Sequence, residues 1–261
     1  MERVIAVANQ KGGVGKTTTT VNLAASLAAI KKRVLVVDFD PQGNATSGLN
    51  IPKIDEKPNI YHVLAGSCEI KDAMQQAELP TLFAIPGHRD LAAAEVELVN
   101  EMGREYILKN LLEGVRDQFD YIFIDCPPSL SLLTINALAA ADGVLIPIQA
   151  EYYALEGVRD LIDTIQLVQR RINRELVVSG VVVTMFDERT NLSNQVFQDV
   201  QGYFGEKLYK TIIPRNVRLS EAPSFGKPVM LYDIKSKGAQ AYLNLAKEFL
   251  NGQKARARQG A

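Results

Sequence analysis

Cysteine is scarce in this chain, and histidine is equally so. Cys68 and Cys126 stand far apart and no CxxC occurs, which argues against a disulfide framework or a cysteine-held metal. His62 and His88 fall in a weakly patterned stretch and join no Ser/His/Asp or Cys/His set, so both read as structural or surface residues. No apolar run is long enough to span a bilayer, and the short apolar start leads straight into a glycine-rich polar segment, unlike a cleaved signal. The expected compartment is the cytoplasm. No solenoid-type repeat is visible.

Net charge is nearly absent as well, at −1 from 29 Lys and Arg against 30 Asp and Glu. The balance hides an asymmetry. Residues 1–200 carry 18 Lys and Arg against 26 Asp and Glu, whereas residues 201–261 carry 11 against 4. One basic face on an otherwise acidic body is the expectation, with an ordinary solvated surface as the alternative.

What is present is ordinary globular material, 261 residues with 47% hydrophobic content, enough for a substantial core in one domain over 1–250. Residues 251–261 are polar and predict a disordered tail. The stretch that stands out is Lys11-Gly12-Gly13-Val14-Gly15-Lys16-Thr17-Thr18, between the apolar run Val4–Ala8 and a helical pattern. Three glycines let backbone N–H groups converge on one anion, and the helix adds its positive end. Lys16 is expected to reach the β- and γ-phosphates and Thr17 to ligate Mg²⁺. Position 10 is Gln10 where the standard loop has glycine, and Lys11 follows it, giving the deviant form KGGxGKT. Since Lys16 already serves the bound phosphates, a lysine on the outer edge of the loop is placed to cross a twofold axis to a partner's nucleotide. ATP would then hold a dimer together.

Segments at 34–37, 82–85, 121–125, 144–146, 177–184 and 209–213 predict strands, alternating with helices at 18–30, 60–65, 91–100, 104–118, 131–140, 155–171, 191–204 and 238–250. Such alternation predicts an α/β fold: a mostly parallel, doubly wound sheet with helices on both faces. Residues 41–48 read as a polar loop beside the site, and 214–228 as a long loop. Asp125 ends an apolar strand before Pro127-Pro128, the arrangement that holds a carboxylate near Mg²⁺. Asp38 and Asp40 end another, where open α/β sheets place ligands. Asp40, just past the strand, is the preferred residue for orienting the attacking water. Asp38 reads as its support or as a polar strand-end residue.

Five segments make the chain resemble the ParA/Soj partition ATPases, deviant Walker-A members of the P-loop NTPases: ANQKGGVGKTTTTVNLAASLA at 8–28, VVDFDPQGNATSGL at 36–49, DYIFIDCPPSLSLLTINAL at 120–138, EYYALEG at 151–157 and IPRNVRLSEAPSFGKPV at 213–229. The resemblance implies an ATP- and Mg²⁺-dependent homodimer that binds double-stranded DNA without sequence preference, associates with the nucleoid and is released when a ParB-like protein stimulates hydrolysis. It implies that Lys11 acts in trans, that Asp40 positions water, and that Pro214 and Asn216 lie against adenine. Arg189 and Arg218 are its DNA contacts, with Lys227, Lys235 and Lys247 as possible neighbours. Only eight residues precede Asn9, matching the short chromosomal-type members. A MinD-like membrane-associated positioning ATPase is the alternative, but Gln253–Ala261 has no large apolar residue for an amphipathic anchor. A nitrogenase-like donor would need clustered cysteines, and a tyrosine kinase on this core a tyrosine cluster where the chain ends KARARQGA.

Overall fold

Runs of four or five residues with no exposed member form the middle of a sheet, because only a strand covered on both faces can be apolar throughout. Val4–Val7 (β1), Val34–Asp38 (β2) and Tyr121–Asp125 (β5) are such runs. The computed structural model describes residues 2–54 and 57–259. With Gln75–Gln76 (β3), Leu82–Ile85 (β4), Gly143–Gln149 (β6) and Val177–Thr184 (β7), they make one seven-stranded sheet in the order β3-β4-β2-β5-β1-β6-β7. All pairings are parallel except that of β3 with β4. The expected α/β architecture is the one observed.

Alternation along the strands divides the core in two. Ala6, Val37, Ile124 and Ile146 point to one side with the helices Leu132–Ala140 and Glu156–Arg171, while Ile5, Val36, Phe123 and Leu145 point to the other. There they meet helix α1 (Lys16–Ala29) and the closing helix Lys237–Gln259 through Leu23, Leu27, Tyr242, Leu245 and Phe249. Phe249 is 1% exposed, with the rings of Tyr121 and Phe123 at 5.2 and 5.9 Å. Truncating it to alanine should cost about 3–5 kcal/mol, read as a lower urea midpoint at unchanged slope. A loss below about 1 kcal/mol would mean that this layer repacks freely.

The structure corrects several sequence expectations. No strand forms at 209–213: Leu208 and Pro214 make isolated bridges to Val181 and Phe186. Between them the N–H groups of Lys210 and Thr211 donate to the Glu248 carboxylate at 2.7 and 2.9 Å, so they are withdrawn from any ladder. The predicted helix 104–118 is broken into Arg104–Tyr106, Ile107–Glu113 and Arg116–Gln118, with Gly114 capping the middle piece. The loops at 41–48 and 214–228 contain short helical turns, Asn44–Gly48, Val217–Glu221 and Ala222–Phe225.

The tail is corrected too. Instead of ending at 250 in a disordered segment, the last helix continues to Gln259. Gln253 is 2% exposed and exchanges hydrogen bonds with Glu2, whose backbone N–H it accepts at 3.1 Å and whose carboxylate receives its amide at 3.1 Å. Arg256 donates to the same carboxylate at 2.5 Å. Polar composition alone predicted disorder, but these residues find buried partners from the other end of the chain. Residues 260 and 261 of the predicted tail lie outside the described residues.

Candidate functional site

Strand register builds the site. β5 lies between β1 and β2, pairing Val7 with Asp125 and Asp38 with Asp125, so two carboxylates and the start of the glycine-rich loop come level at the C-terminal edge of the sheet. The loop turns through Gly13 (φ 76°) and Gly15 (φ 89°), conformations that an L side chain adopts only with strain. A Cβ at Gly12 or Gly13 would meet nothing within 4 Å, so open space lies beside both glycines. Side chains from the sheet pin it. Asn9 donates to the Pro147 carbonyl at 2.7 Å and accepts the Lys11 N–H at 3.0 Å, and the Thr184 hydroxyl donates to the Val14 carbonyl at 2.8 Å. Val14 is buried, anchoring the loop from below.

Lys16 opens α1 and is 7% exposed, its ammonium donating to the Lys11 carbonyl at 3.2 Å. Burial lowers its pKa, opposed by the attraction of Asp125, Cys126 and Asp40. Next to it, Thr17 donates to one Asp125 oxygen at 2.7 Å, and one turn on Thr20 donates to the other at 3.0 Å. Thr18, half-buried, gives its carbonyl to the Asn22 amide at 2.8 Å. No side chain caps the helix N-terminus, leaving its N–H groups for a ligand.

Asp38 and Asp125 are fully buried and Asp40 is 6% exposed. Burial raises the pKa of both Asp38 and Asp125, and each is raised further by neighbouring carboxylates. One Asp38 oxygen accepts the Thr46 N–H and hydroxyl at 2.7 and 2.5 Å; the other is buried without a partner. The Thr46 hydroxyl in turn accepts the Gly87 N–H at 2.9 Å, and a Cβ on Gly87 would come within 2.8 Å of the Asp38 carboxyl carbon. Asp40 accepts the Gln42 N–H at 2.9 Å. Asp125 and Asp40 face the buried Lys16 ammonium and Asp38, with its orphaned oxygen, lies beside Asp125, an excess of negative charge that a divalent cation would balance. Among the described residues no three His, Cys, Asp or Glu side chains are grouped to hold a metal alone. Thr17 and Asp125 therefore suit Mg²⁺, which takes one or two protein ligands and completes its shell with phosphates and water.

Lys11 is placed differently from Lys16. Its side chain is 37% exposed on the rim, paired with Glu151. Pro214 lies with Phe186 and Arg215 in the wall of an open cleft of about 1020 Å³, which Arg189 also lines. Asn216 caps the turn Val217–Glu221, accepting the Arg218 N–H at 3.1 Å. Arg189 is exposed and bonds Asp187 through two nitrogens at 2.8 and 2.7 Å. Arg218 meets Glu221 at 2.7 Å and Asp233 at 3.4 Å. The basic C-terminal section is thus partly internally compensated, with Lys237 3.7 Å from Glu188 as a further case. The sequence reading missed Asn9, Thr20, Thr46, Glu151 and Thr184. Thr20 was within reach, three residues from Thr17 on one helix face; Asn9, Thr46 and Glu151 lie inside segments that carry the resemblance, but their bonds to Pro147, Asp38 and Lys11, like that of Thr184 to Val14, are set by the fold.

A family model described as an AAA domain matches residues 2–178. The chain is 57% identical over 248 residues to the sporulation initiation inhibitor protein Soj of Bacillus subtilis, covering 95% of this chain and 98% of that one. It is 54% identical over 248 residues to the chromosome partitioning protein ParA of Myxococcus xanthus, covering 95% and 88%. Among solved structures, a Mycobacterium smegmatis protein named cobyrinic acid a,c-diamide synthase, with bound ATP analogue and magnesium, superposes with a TM-score of 0.85 at 38% identity, covering 97% and 96%.

Proposed function

The chain belongs to the ParA/Soj family of chromosome-partitioning ATPases, and on that premise we propose that it is an ATP-gated switch for non-specific DNA. In this reading Mg²⁺ and ATP bind in the glycine-rich loop, two copies close over the nucleotides, the dimer holds duplex DNA, and hydrolysis stimulated by a ParB-like protein releases it. Thr17 and Asp125 hold Mg²⁺, which neutralises charge on the phosphates. The loop from Gly12 to Thr18 holds the phosphates, Asp40 orients the attacking water, and Pro214 and Asn216 flank the base.

The observation that carries the reading is the separation of the two loop lysines. Lys16 is buried beside Asp125 and Asp40, whereas Lys11 stands on the rim paired with Glu151. A rim lysine can reach a second molecule; a buried one cannot. Arg189 and Arg218 are exposed, and their ion pairs with Asp187 and Glu221 are of the solvated, salt-screened kind that DNA phosphates can displace.

Binding of labelled non-specific duplex across a salt series tests this. Strong binding is expected with ATP and little with ADP, falling steeply with salt, and lost in Arg218→Glu. Equal binding in the two nucleotide states would remove the central step of the reading.

A further inference from the structure

Asp40 sits in a frame of its own. The chain leaves β2 at Asp38, turns through Asp40 to Gly43 and enters the short helix Asn44–Gly48, whose Thr46 comes back to the strand end. There the Thr46 N–H and hydroxyl both donate to one Asp38 oxygen, at 2.7 and 2.5 Å, closing the segment 38–46 into a loop. Thr46 is 1% exposed. Its hydroxyl oxygen also accepts the Gly87 N–H at 2.9 Å, which ties the loop to the chain just beyond β4.

Inside the loop the turn closes twice on Asp40: the Gly43 N–H donates to its carbonyl at 2.9 Å and the Gln42 N–H to its carboxylate at 2.9 Å. The aim of the carboxylate therefore depends on how Gln42 is held. Lys53 holds it from the solvent side, its ammonium donating to the Gln42 carbonyl at 3.0 Å. Gly43 (φ 60°) is wedged beneath, where a Cβ would stand 3.0 Å from the Lys53 side chain and 3.1 Å from the Gly87 carbonyl. A turn packed this closely shifts only if Lys53 or the end of β4 shifts with it.

We propose that Thr46 and Lys53 are positioning residues for hydrolysis, an inner clip and an outer clamp that fix the direction in which Asp40 presents its carboxylate to the attacking water. The inference rests on the water-orienting reading of Asp40. Thr46 has a structural duty as well, since it partners a buried carboxylate. Lys53 has none of that kind, because it is exposed and its bond goes to a carbonyl on the outside of the turn. A displacement of about 1 Å in such a group can cost a hundredfold in rate. Nucleotide capture belongs to the glycine-rich loop, so loosening either end of the frame lowers kcat and leaves binding as it was.

The test compares the parent with Thr46→Val, Thr46→Ser, Lys53→Ala and Asp40→Ala in the full chain. Titration with Mg²⁺-ATP gives kcat and KM, and calorimetry with a non-hydrolysable ATP analogue gives Kd. Thr46→Val, nearly isosteric but without the hydroxyl, should lower kcat by about ten- to a hundredfold with KM and Kd within about threefold. Thr46→Ser keeps the hydroxyl and should stay within about threefold of the parent, while Lys53→Ala should lower kcat by about three- to tenfold, again at unchanged KM. A parental kcat in either Thr46→Val or Lys53→Ala, an equal loss in Thr46→Ser and Thr46→Val, or a raised KM at unchanged kcat would overturn the inference. If Thr46→Val does not fold, the kcat of Lys53→Ala decides alone. A parental rate in Asp40→Ala would sink the water-orienting reading and the inference with it, whereas a slow Asp40→Ala beside parental Thr46→Val and Lys53→Ala would sink the inference and leave that reading standing.

Discussion

Lys16→Ala is expected to lower ATP hydrolysis by about a thousandfold, with loss of saturable Mg²⁺-ATP binding, measured by single-turnover kinetics and calorimetry. Phosphoryl transfer needs charge neutralisation at fixed positions, and Lys16 is the buried ammonium at this site, 7% exposed and set among Asp125 and Asp40. Its cost to the fold points the other way. Burial lowers the pKa of Lys16 even against the attraction of those carboxylates, so the protein holds the charged form at a disadvantage. Removing it should therefore leave the melting midpoint within a few degrees of the parent. Lost activity accompanied by a large drop in melting temperature would assign Lys16 a structural role instead.

Asp40→Ala should separate binding from chemistry. Hydrolysis is expected to fall by about a hundredfold or more, because a carboxylate that orients the attacking water contributes on that scale. ATP-dependent DNA binding should persist, since the Asp40 side chain bonds the Gln42 N–H, while the bond between Thr17 and Asp125 is made without it. The contrast with Asp38 sharpens the expectation. Asp38 is fully buried and bonded twice to Thr46, whose hydroxyl also fixes Gly87. Its removal would disturb the wall of the site as well as its charge. Simultaneous loss of DNA binding and hydrolysis in Asp40→Ala, with the fold intact, would show that Asp40 belongs to nucleotide capture and not to the water.

The strands at 121–125 and 177–184 were legible because each is rich in β-branched and aromatic residues and too short for an ordinary helix, and their observed ends coincide with the predicted ones. The predicted strand at 209–213 shows where that logic stops. Its aromatic and β-branched content is real, but Glu248, which takes the Lys210 and Thr211 N–H groups, comes from a helix almost forty positions away. Gln75–Gln76 was missed for the opposite reason, since two polar residues at a sheet edge carry no hydrophobic signal.

Sequence alone determined the glycine-rich loop, the two lysines within it and the carboxylates at the strand ends, because phosphate capture depends on backbone freedom and residue type over eight consecutive positions. Tertiary structure decided which groups face one another. Pairing of β2 with β5 sets Asp38 level with Asp125, and an approach across 140 positions gives Lys11 its Glu151. Register and helix packing are settled by the burial of whole faces, so no local window contains them. The same holds for the tail: its polar composition predicted disorder, and a buried carboxylate at Glu2 made it helix.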